Sequence, residues 1–282
     1  MRFDVGHRIL YSYSRAVFLE PFTIRLKPRC DSTQRLEHFS LKVQPHPAGR
    51  SQCIDIDGTD AASLWFEGTH RSLSISATSR VEVLRTNPFD FIITDGGVLS
   101  LPAVYGEQYR QPLSPYLEAP KGCPNLESLV EPIVKQSGRE TIPFLEAFAS
   151  HTSCRFSIVM RETGPPLSPD ETIALGEGAC RDLAVIFMEG CRSVGLAARF
   201  VSGYAGGHCP LQEAHLHAWV EVYLPGGGWR GFDPTLGLAV ADSHVAVAAA
   251  ANPANAAPTV GTYRGTDVQS KLEYEVSVQQ TG

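Results

Sequence analysis

The chain has 282 residues, 43% hydrophobic and 19% charged, which is the composition of folded globular proteins and excludes a largely disordered chain. Its net charge of −6 at pH 7 argues against a nucleic-acid partner or an anionic membrane surface. No signal peptide is recognisable, and no apolar run reaches the roughly 18 residues of a membrane-spanning helix.

The cysteines indicate the compartment. There are seven, an odd number, and no two are spaced as C-x-x-C. We therefore expect reduced thiols in a cytoplasmic protein, most of them acting as small buried hydrophobic residues. A cysteine with another role needs support from its neighbours.

Residues 1–86 are predicted to form a β-sandwich domain. The segments RFDVGHRILYSYS and RSLSISATSRVEVL alternate apolar and polar residues, and FTIRLKP and HFSLKVQP lie between them. The turn-rich segments KPRCDS, QPHPAGRSQ and DGTDA separate these strands. Several short strands at this spacing predict an antiparallel sandwich.

Residues 87–125 contain six prolines and are predicted to be a connector. A second domain, 126–282, opens with helical patterns. One helix is expected from an N-cap at Asn125 to Gly138, and another begins at a Thr141 cap.

The most regular helical pattern runs from Cys180 to Val194 and stops at Gly195. The segments LAARFVSGY, HLHAWVEVYL, GWRGFD and KLEYEVSVQ follow as strands. The alanine-rich segment VAVAAAANPANAAP is interrupted by Pro253 and is predicted to be a loop.

Cys180 stands at the start of that helix, in the segment GEGACRDLA. A thiol there meets the positive end of the helix dipole and unpaired backbone N–H groups, which favour a thiolate and can receive charge from a carbonyl oxygen. Small residues before it, including Gly178 and Ala179, leave room for a substrate to approach. The alternative is a buried helix-start cysteine without chemistry.

A histidine and an aspartate lie on the predicted hairpin that follows. A three-residue loop at 225–227 would pair Leu224 with Gly228 and Trp219 with Asp233, leaving His217 diagonal to Asp233 and within side-chain reach. Cys180, His217 and Asp233 then fit the roles of nucleophile, base and orienting acid. Trp219 is a candidate substrate wall.

These motifs resemble the transglutaminase-like superfamily, in its bacterial cysteine-protease branch. The resemblance rests on GEGACRDLA, CRSVGLAARFVSGY, HAWVEVYLPGGGW and FDPT, and on an N-terminal strand with His7, Tyr11 and Tyr13. It implies an α+β fold with a papain-like core behind the sandwich, the catalytic triad Cys180–His217–Asp233, and an oxyanion hole that includes the N–H of Cys180. It also implies a peptide or protein amide substrate but leaves the acceptor open, and we expect hydrolysis to be favoured over acyl transfer to amines. This chemistry needs no cofactor, and no EF-hand-type acidic loop is present, so none is expected.

Two alternatives remain. A metal could be held by His208, Cys209, His215 and His217, although their spacing matches no recognised zinc motif. A catalytically inactive binding module could also keep the same fold. Arg181 and Asp182 are interpreted as residues of the first helical turn, and the oligomeric state is not predicted.

Overall fold

The structure is a computed structural model that describes residues 1–120, 122–161, 163–206 and 216–281. Within these ranges the strands are β1 (Arg2–Leu19), β2 (Phe22–Ile24), β3 (Gln34–Gln44), β4 (Gly49–Ile54), β5 (Asp60–Trp65), β6 (His70–Val83), β7 (Ser157–Ile158), β8 (Glu177–Gly178), β9 (Ala198–Ala205), β10 (Leu216–Leu224), β11 (Gly228–Asp233), β12 (Leu238–Ala239), β13 (His244–Ala250), β14 (Thr259–Val260), β15 (Tyr263–Arg264) and β16 (Ser270–Gln280). The helices are α1 (Glu107–Leu117), α2 (Pro124–Gln136), α3 (Thr141–Arg155), α4 (Pro169–Leu175) and α5 (Cys180–Ser193), with 3-10 turns at Gly96–Val98 and Pro253–Ala256. No helix in the described part of the chain is long and apolar enough to cross a membrane.

Two antiparallel sheets form the predicted N-terminal sandwich. One contains β3, β6 and β1, and the other contains β2, β5 and β4. Alternate residues of both sheets point inward, and Ile9, Ile75 and Leu64 are at most 3% exposed in a shared core. Strands β4 and β5 were not predicted from the sequence, because their residues are mostly small, polar or exposed and the apolar–polar alternation is weak.

The last strands of the chain return to this sandwich. β16 pairs with β1 from Phe3–Gln280 to Tyr13–Ser270, β15 also pairs with β1, and β14 pairs with β2. From the sequence, this segment is predicted to belong to the second domain, 126–282. Its backbone hydrogen bonds instead extend the N-terminal sheets, while the division at 86 and 125 stays a prediction.

The helices differ from their predictions mainly at their starts. α2 begins one residue before Asn125, with Pro124 in its first turn and Cys123 as N-cap, so the Asn125 cap was wrong. Thr141 lies inside α3 and its hydroxyl donates to the carbonyl of Val98, so it is not a cap. The predicted connector contains helix α1. It was not predicted because two of the connector's prolines lie inside the helix, where proline is normally unfavourable.

A five-stranded antiparallel sheet forms the core behind the sandwich, in the order β12-β11-β10-β9-β13. Helix α5 packs on it through the predicted stripe, in which Leu183, Phe187 and Cys191 are fully buried. Ala218, Val220 and Val222 of β10 belong to the same core, as the alternation predicted. The result is the expected α+β arrangement of a helix that begins at Cys180 against an antiparallel sheet.

The alanine-rich segment was predicted to be a loop, and this was wrong. Its first part is β13, an edge strand of the core sheet that pairs with β9 and is buried along its whole length. Alanine has a low strand propensity, but here tertiary packing outweighs it. Val245 and Val247 face the sandwich residues Phe3 and Val5.

A buried ion-pair network joins the sandwich to the core sheet. Glu221 of β10 accepts hydrogen bonds from Arg29 at 2.6 Å and from Arg199 at 2.7 Å. Burial opposes ionisation of Glu221, but the two guanidinium groups outweigh it and hold its pKa below the ordinary value. The network therefore ties the turn after β2 to the strand that carries His217.

Two further polar contacts cross the same boundary. The side chain of Gln34 donates to the carbonyl of Ala246 at 2.9 Å and accepts from its N–H at 2.8 Å, so it completes the backbone pairing of β13. The ring of His7 shares a 2.9 Å hydrogen bond with the hydroxyl of Tyr204, and both side chains are buried. The first strand of the chain is thus bonded to the core sheet beside His217.

Candidate active site

Cys180 is the first residue of α5, as the sequence predicted. Ala179 is the N-cap and has no capping side chain, so another residue must satisfy the free amides. Asp182 does this: its Oδ2 accepts from the N–H of Ala179 at 2.8 Å, and its Oδ1 accepts from the N–H of Leu167 at 2.8 Å and from Arg161. Asp182 therefore holds the segment before α4 against the start of the helix and is not directed at the thiol.

Gly178 precedes this turn in β8 and is buried. A Cβ atom at this position would lie 2.9 Å from Cγ2 of Thr172 and 3.1 Å from Cβ of Asp182. The glycine therefore permits close packing of α4 and α5 around the thiol. Its predicted contact with a substrate, like that of Ala179, stays a prediction.

His217 and Asp233 are brought together by the β10–β11 hairpin. The register is the predicted one, with Leu224 opposite Gly228 and a loop at 225–227 in which Gly226 has a φ of +88°. His217 Nε2 lies 2.6 Å from Asp233 Oδ2, and both side chains are at most 4% exposed. The hydrogen bond fixes the imidazole ring in a place that solvent does not reach.

His217 also contacts the thiol of Cys180. Because Nε2 faces Asp233, Nδ1 is the ring nitrogen left for the sulfur. Burial lowers the pKa of His217, but Asp233 and then Cys180 outweigh burial and raise it well above its ordinary value. An imidazolium beside the thiol is therefore favoured.

Asp233 is surrounded by donors. Its Oδ1 accepts from the N–H groups of Thr235 at 2.8 Å and Leu236 at 3.0 Å. Its Oδ2 faces His217 and a second histidine, His244, whose Nε2 lies 2.9 Å away. Burial opposes the charge on Asp233, but the two histidines outweigh it and lower the pKa of the carboxyl.

His244 was not predicted from the sequence as a residue of this site. The residue opens β13, which had been assigned to a loop, and it is 3% exposed. The alternation of Val245 and Val247 after it was the signal that could have identified a strand. His244 Nδ1 lies 2.9 Å from the hydroxyl of Ser243, and its ring meets Trp219 edge-on at 5.0 Å.

Trp219 does not line an open groove. Its side chain is 1% exposed and lies between the rings of His217 and His244 and the small residues of β13. It contributes to a cavity, with about 30 Å³ of space for water, between the sandwich and the core sheet. In this structure Trp219 supports the two histidines, and its predicted role as a substrate wall stays a prediction.

The residues that could hold a metal in the structure differ from the set predicted from the sequence. His208, Cys209 and His215 lie outside the described residues. Among the described ones, His217, Asp233 and His244 form a group whose possible ligand atoms lie within 4.8 Å of one another. Both Nε2 atoms meet the same carboxylate oxygen at hydrogen-bond distance, which is the geometry of shared protons.

The helix and hairpin define a class of fold. A cysteine opening a helix, with a histidine and an aspartate on adjacent antiparallel strands, is the arrangement of the papain-like, transglutaminase-like core. Residues 128–234 match the transglutaminase-like superfamily, and residues 3–82 match the bacterial transglutaminase-like N-terminal region. The two matched stretches lie in the expected order, a bacterial transglutaminase-like N-terminal region followed by a transglutaminase-like core.

Its relatives extend over nearly the whole chain. An uncharacterized protein of Mycobacterium tuberculosis is 26% identical over 299 residues, which are 98% of this chain and 92% of the relative. One of Mycobacterium leprae is 25% identical over 286 residues, 96% of this chain and 98% of the relative. A crystal structure of a candidate cysteine protease from Cytophaga hutchinsonii has a TM-score of 0.73 at 23% identity and covers 100% of this chain and 92% of its own. This last likeness is one of fold.

Proposed function

We propose that the protein is a thiol-dependent enzyme that attacks an amide or peptide carbonyl through Cys180, His217 and Asp233. The observation that carries the proposal is the buried 2.6 Å hydrogen bond between His217 and Asp233, with the other side of the imidazole against the thiol at the start of α5. A nucleophile, a base and an orienting group in contact are the requirements of acyl transfer.

In the first half-reaction the thiolate of Cys180 attacks the carbonyl carbon of the substrate. The oxyanion that forms is stabilised by backbone N–H groups at the start of α5, including that of Cys180. His217 then gives its Nδ1 proton to the leaving amine as the carbon–nitrogen bond breaks, and a thioester remains on Cys180.

In the second half-reaction water attacks the thioester. His217 takes a proton from the water, and the carbon–sulfur bond breaks to release a carboxylic acid and the thiolate. Asp233 keeps the proton on Nε2 throughout, so that Nδ1 faces the reacting atoms. If an amine replaced water, the same steps would form a new amide. We propose hydrolysis as the favoured outcome, a peptide or protein as the substrate, and no cofactor.

The cytoplasm is the proposed compartment. Support comes from the odd number of cysteines, and none of the described cysteines forms a disulfide. The acidic net charge supports a partner other than nucleic acid or an anionic membrane.

The test is the rate at which iodoacetamide alkylates Cys180 as a function of pH, measured by peptide mass spectrometry in wild type and in His217→Ala. Wild-type Cys180 should react well below pH 7, because the imidazolium beside it stabilises the thiolate. His217→Ala should lose at least tenfold of that reactivity at pH 6. The exposed Cys154 in the same sample is the internal control, and its rate should not change.

A reactive thiol would then be offered peptides with and without an added amine, to compare hydrolysis with acyl transfer. If Cys180 reacts like Cys154 in both proteins, the proposal of a thiol enzyme fails. The inactive binding module would then be the better description.

A further inference from the structure

The strongest unassigned group near the site is His244. It lies on β13, away from the hairpin that carries His217 and Asp233, and its Nε2 reaches the same carboxylate oxygen as the Nε2 of His217. The distances are 2.9 Å for His244 and 2.6 Å for His217. We infer that His244 is a positioning residue which, through Asp233, limits how strongly the carboxylate holds the proton of His217. This inference rests on the proposed function.

The hydrogen bonds around His244 show which ring nitrogen donates and which accepts. Because Asp233 can only accept, Nε2 of His244 carries the proton, and Nδ1 then accepts from the hydroxyl of Ser243. Burial, outweighing the attraction of Asp233, lowers the pKa of His244, which agrees with a neutral ring. His244 therefore donates to the carboxylate without adding a positive charge.

The consequence follows from the limited capacity of one carboxylate. Asp233 accepts from two backbone N–H groups on Oδ1 and from two rings on Oδ2, so every lone-pair site has a donor. A carboxylate with fewer donors is a stronger base and holds a neighbouring imidazolium more tightly. With His244 in place, His217 can release its Nδ1 proton to a leaving amine more readily.

Of the residues that the structure describes, no other charged side chain forms a hydrogen bond to the shared oxygen. Among the described residues, the titratable or charged groups that face the two histidines are Asp233, Cys180 and, across the small cavity, Arg29, Arg85 and Glu221. Glu221 is engaged by Arg29 and Arg199. Only the two histidines and the two backbone N–H groups form hydrogen bonds to the carboxylate of Asp233 in the described part of the chain.

The test is the titration of His217 by ¹⁵N NMR of histidine-labelled full-length protein. It is made in a Cys180→Ser background, so that the imidazole titrates without a coupled thiol. His244→Phe keeps the ring and its packing against Trp219 but removes the donor. It should raise the pKa of His217 by about one unit, since one of the four hydrogen bonds to the carboxylate is lost. His244→Gln restores an N–H donor near the Nε2 position and should return the pKa to that of the background.

A merely structural role for His244 would change the unfolding free energy of both variants and leave the His217 titration in place. An unchanged or lowered pKa in His244→Phe, or an equal rise in His244→Gln, would overturn the inference. If His244→Phe does not fold, Ser243→Ala serves instead. It weakens donation by His244 through the loss of the hydrogen bond to Nδ1, and it should raise the pKa of His217 by a smaller amount.

This titration does not depend on a reactive thiol. If Cys180 alkylates like an ordinary cysteine while the His217 pKa still follows the donor at position 244, the proposed function fails and the pKa effect inferred for His244 stands. If the thiol is activated and the titration ignores position 244, the proposed function stands and this inference fails.

Discussion

Acid should destabilise the protein through His7, a histidine outside the candidate active site. The ring is 5% exposed and bonded to Tyr204, and burial lowers its pKa from 6.5 to about 4. In the unfolded chain His7 takes up a proton below about pH 6.5, whereas in the folded protein it does so only near pH 4. Stability is therefore lost as the pH falls through this window, and the loss from His7 ends below it.

The size of the effect follows from the shift. At 1.36 kcal/mol for each pKa unit, His7 should account for about 3 kcal/mol of the unfolding free energy lost between pH 7 and pH 4. The assay is urea unfolding followed by tryptophan fluorescence at a series of pH values. His7→Asn keeps a hydrogen-bonding group near the position of Nδ1 but cannot titrate, so its stability should fall by about 3 kcal/mol less than that of wild type over this range.

Two controls separate this explanation from others. His38→Asn changes an exposed histidine of the same sandwich and should keep the wild-type dependence on pH. Tyr204→Phe removes the hydroxyl but leaves His7 buried, and since burial is the cause of the shift, the dependence should persist. Equal losses in wild type and His7→Asn would refute the reasoning.

Two further substitutions test the packing around the site. Glu221→Gln leaves Arg29 and Arg199 with an uncompensated buried charge and should lower the unfolding free energy by about 3 kcal/mol in urea. Glu131→Gln is the control, because it breaks an exposed ion pair with Lys135 and should leave the urea midpoint unchanged. Equal midpoints for the two variants would contradict this prediction. Gly178→Ala places a methyl group 2.9 Å from Cγ2 of Thr172. It should lower the unfolding free energy, measured by thermal unfolding, by about 1–3 kcal/mol. Gly96→Ala, where a Cβ meets nothing within 4 Å, is its control, and the packing argument fails if both variants melt alike.

The features that the sequence predicted are those with a strong local pattern. Helix α5 has a continuous apolar stripe and a glycine at its end, and the hairpin has a loop whose glycines set the register. The positions of Cys180, His217 and Asp233 follow from these two elements. His217 and Asp233 could be placed close together because both lie on one hairpin with a predictable register. Cys180 could be placed at the start of its helix because the helical pattern begins there.

The missed features depend on contacts between distant segments. β13 is a strand because its alanines fit between β9 and the sandwich, and nothing within the segment reveals that partner. His244 was missed with it, since its role appears only when β13 brings it to Asp233. The ion pair of Arg29 with Glu221 joins residues 192 positions apart and has no local pattern at all.

The pairing of β1 with β16 has a consequence for how the protein is made. β1 is a central strand, with β6 on one side and β16 on the other. Phe3 of β1 pairs with Gln280 of β16. During synthesis β16 leaves the ribosome after the whole β10–β11 hairpin. Until then one edge of β1 is unpaired and can template aggregation. A fragment cut at residue 82, the boundary of the matched N-terminal region, would keep that edge permanently exposed. The unit that folds is therefore larger than the unit that sequence comparison recognises.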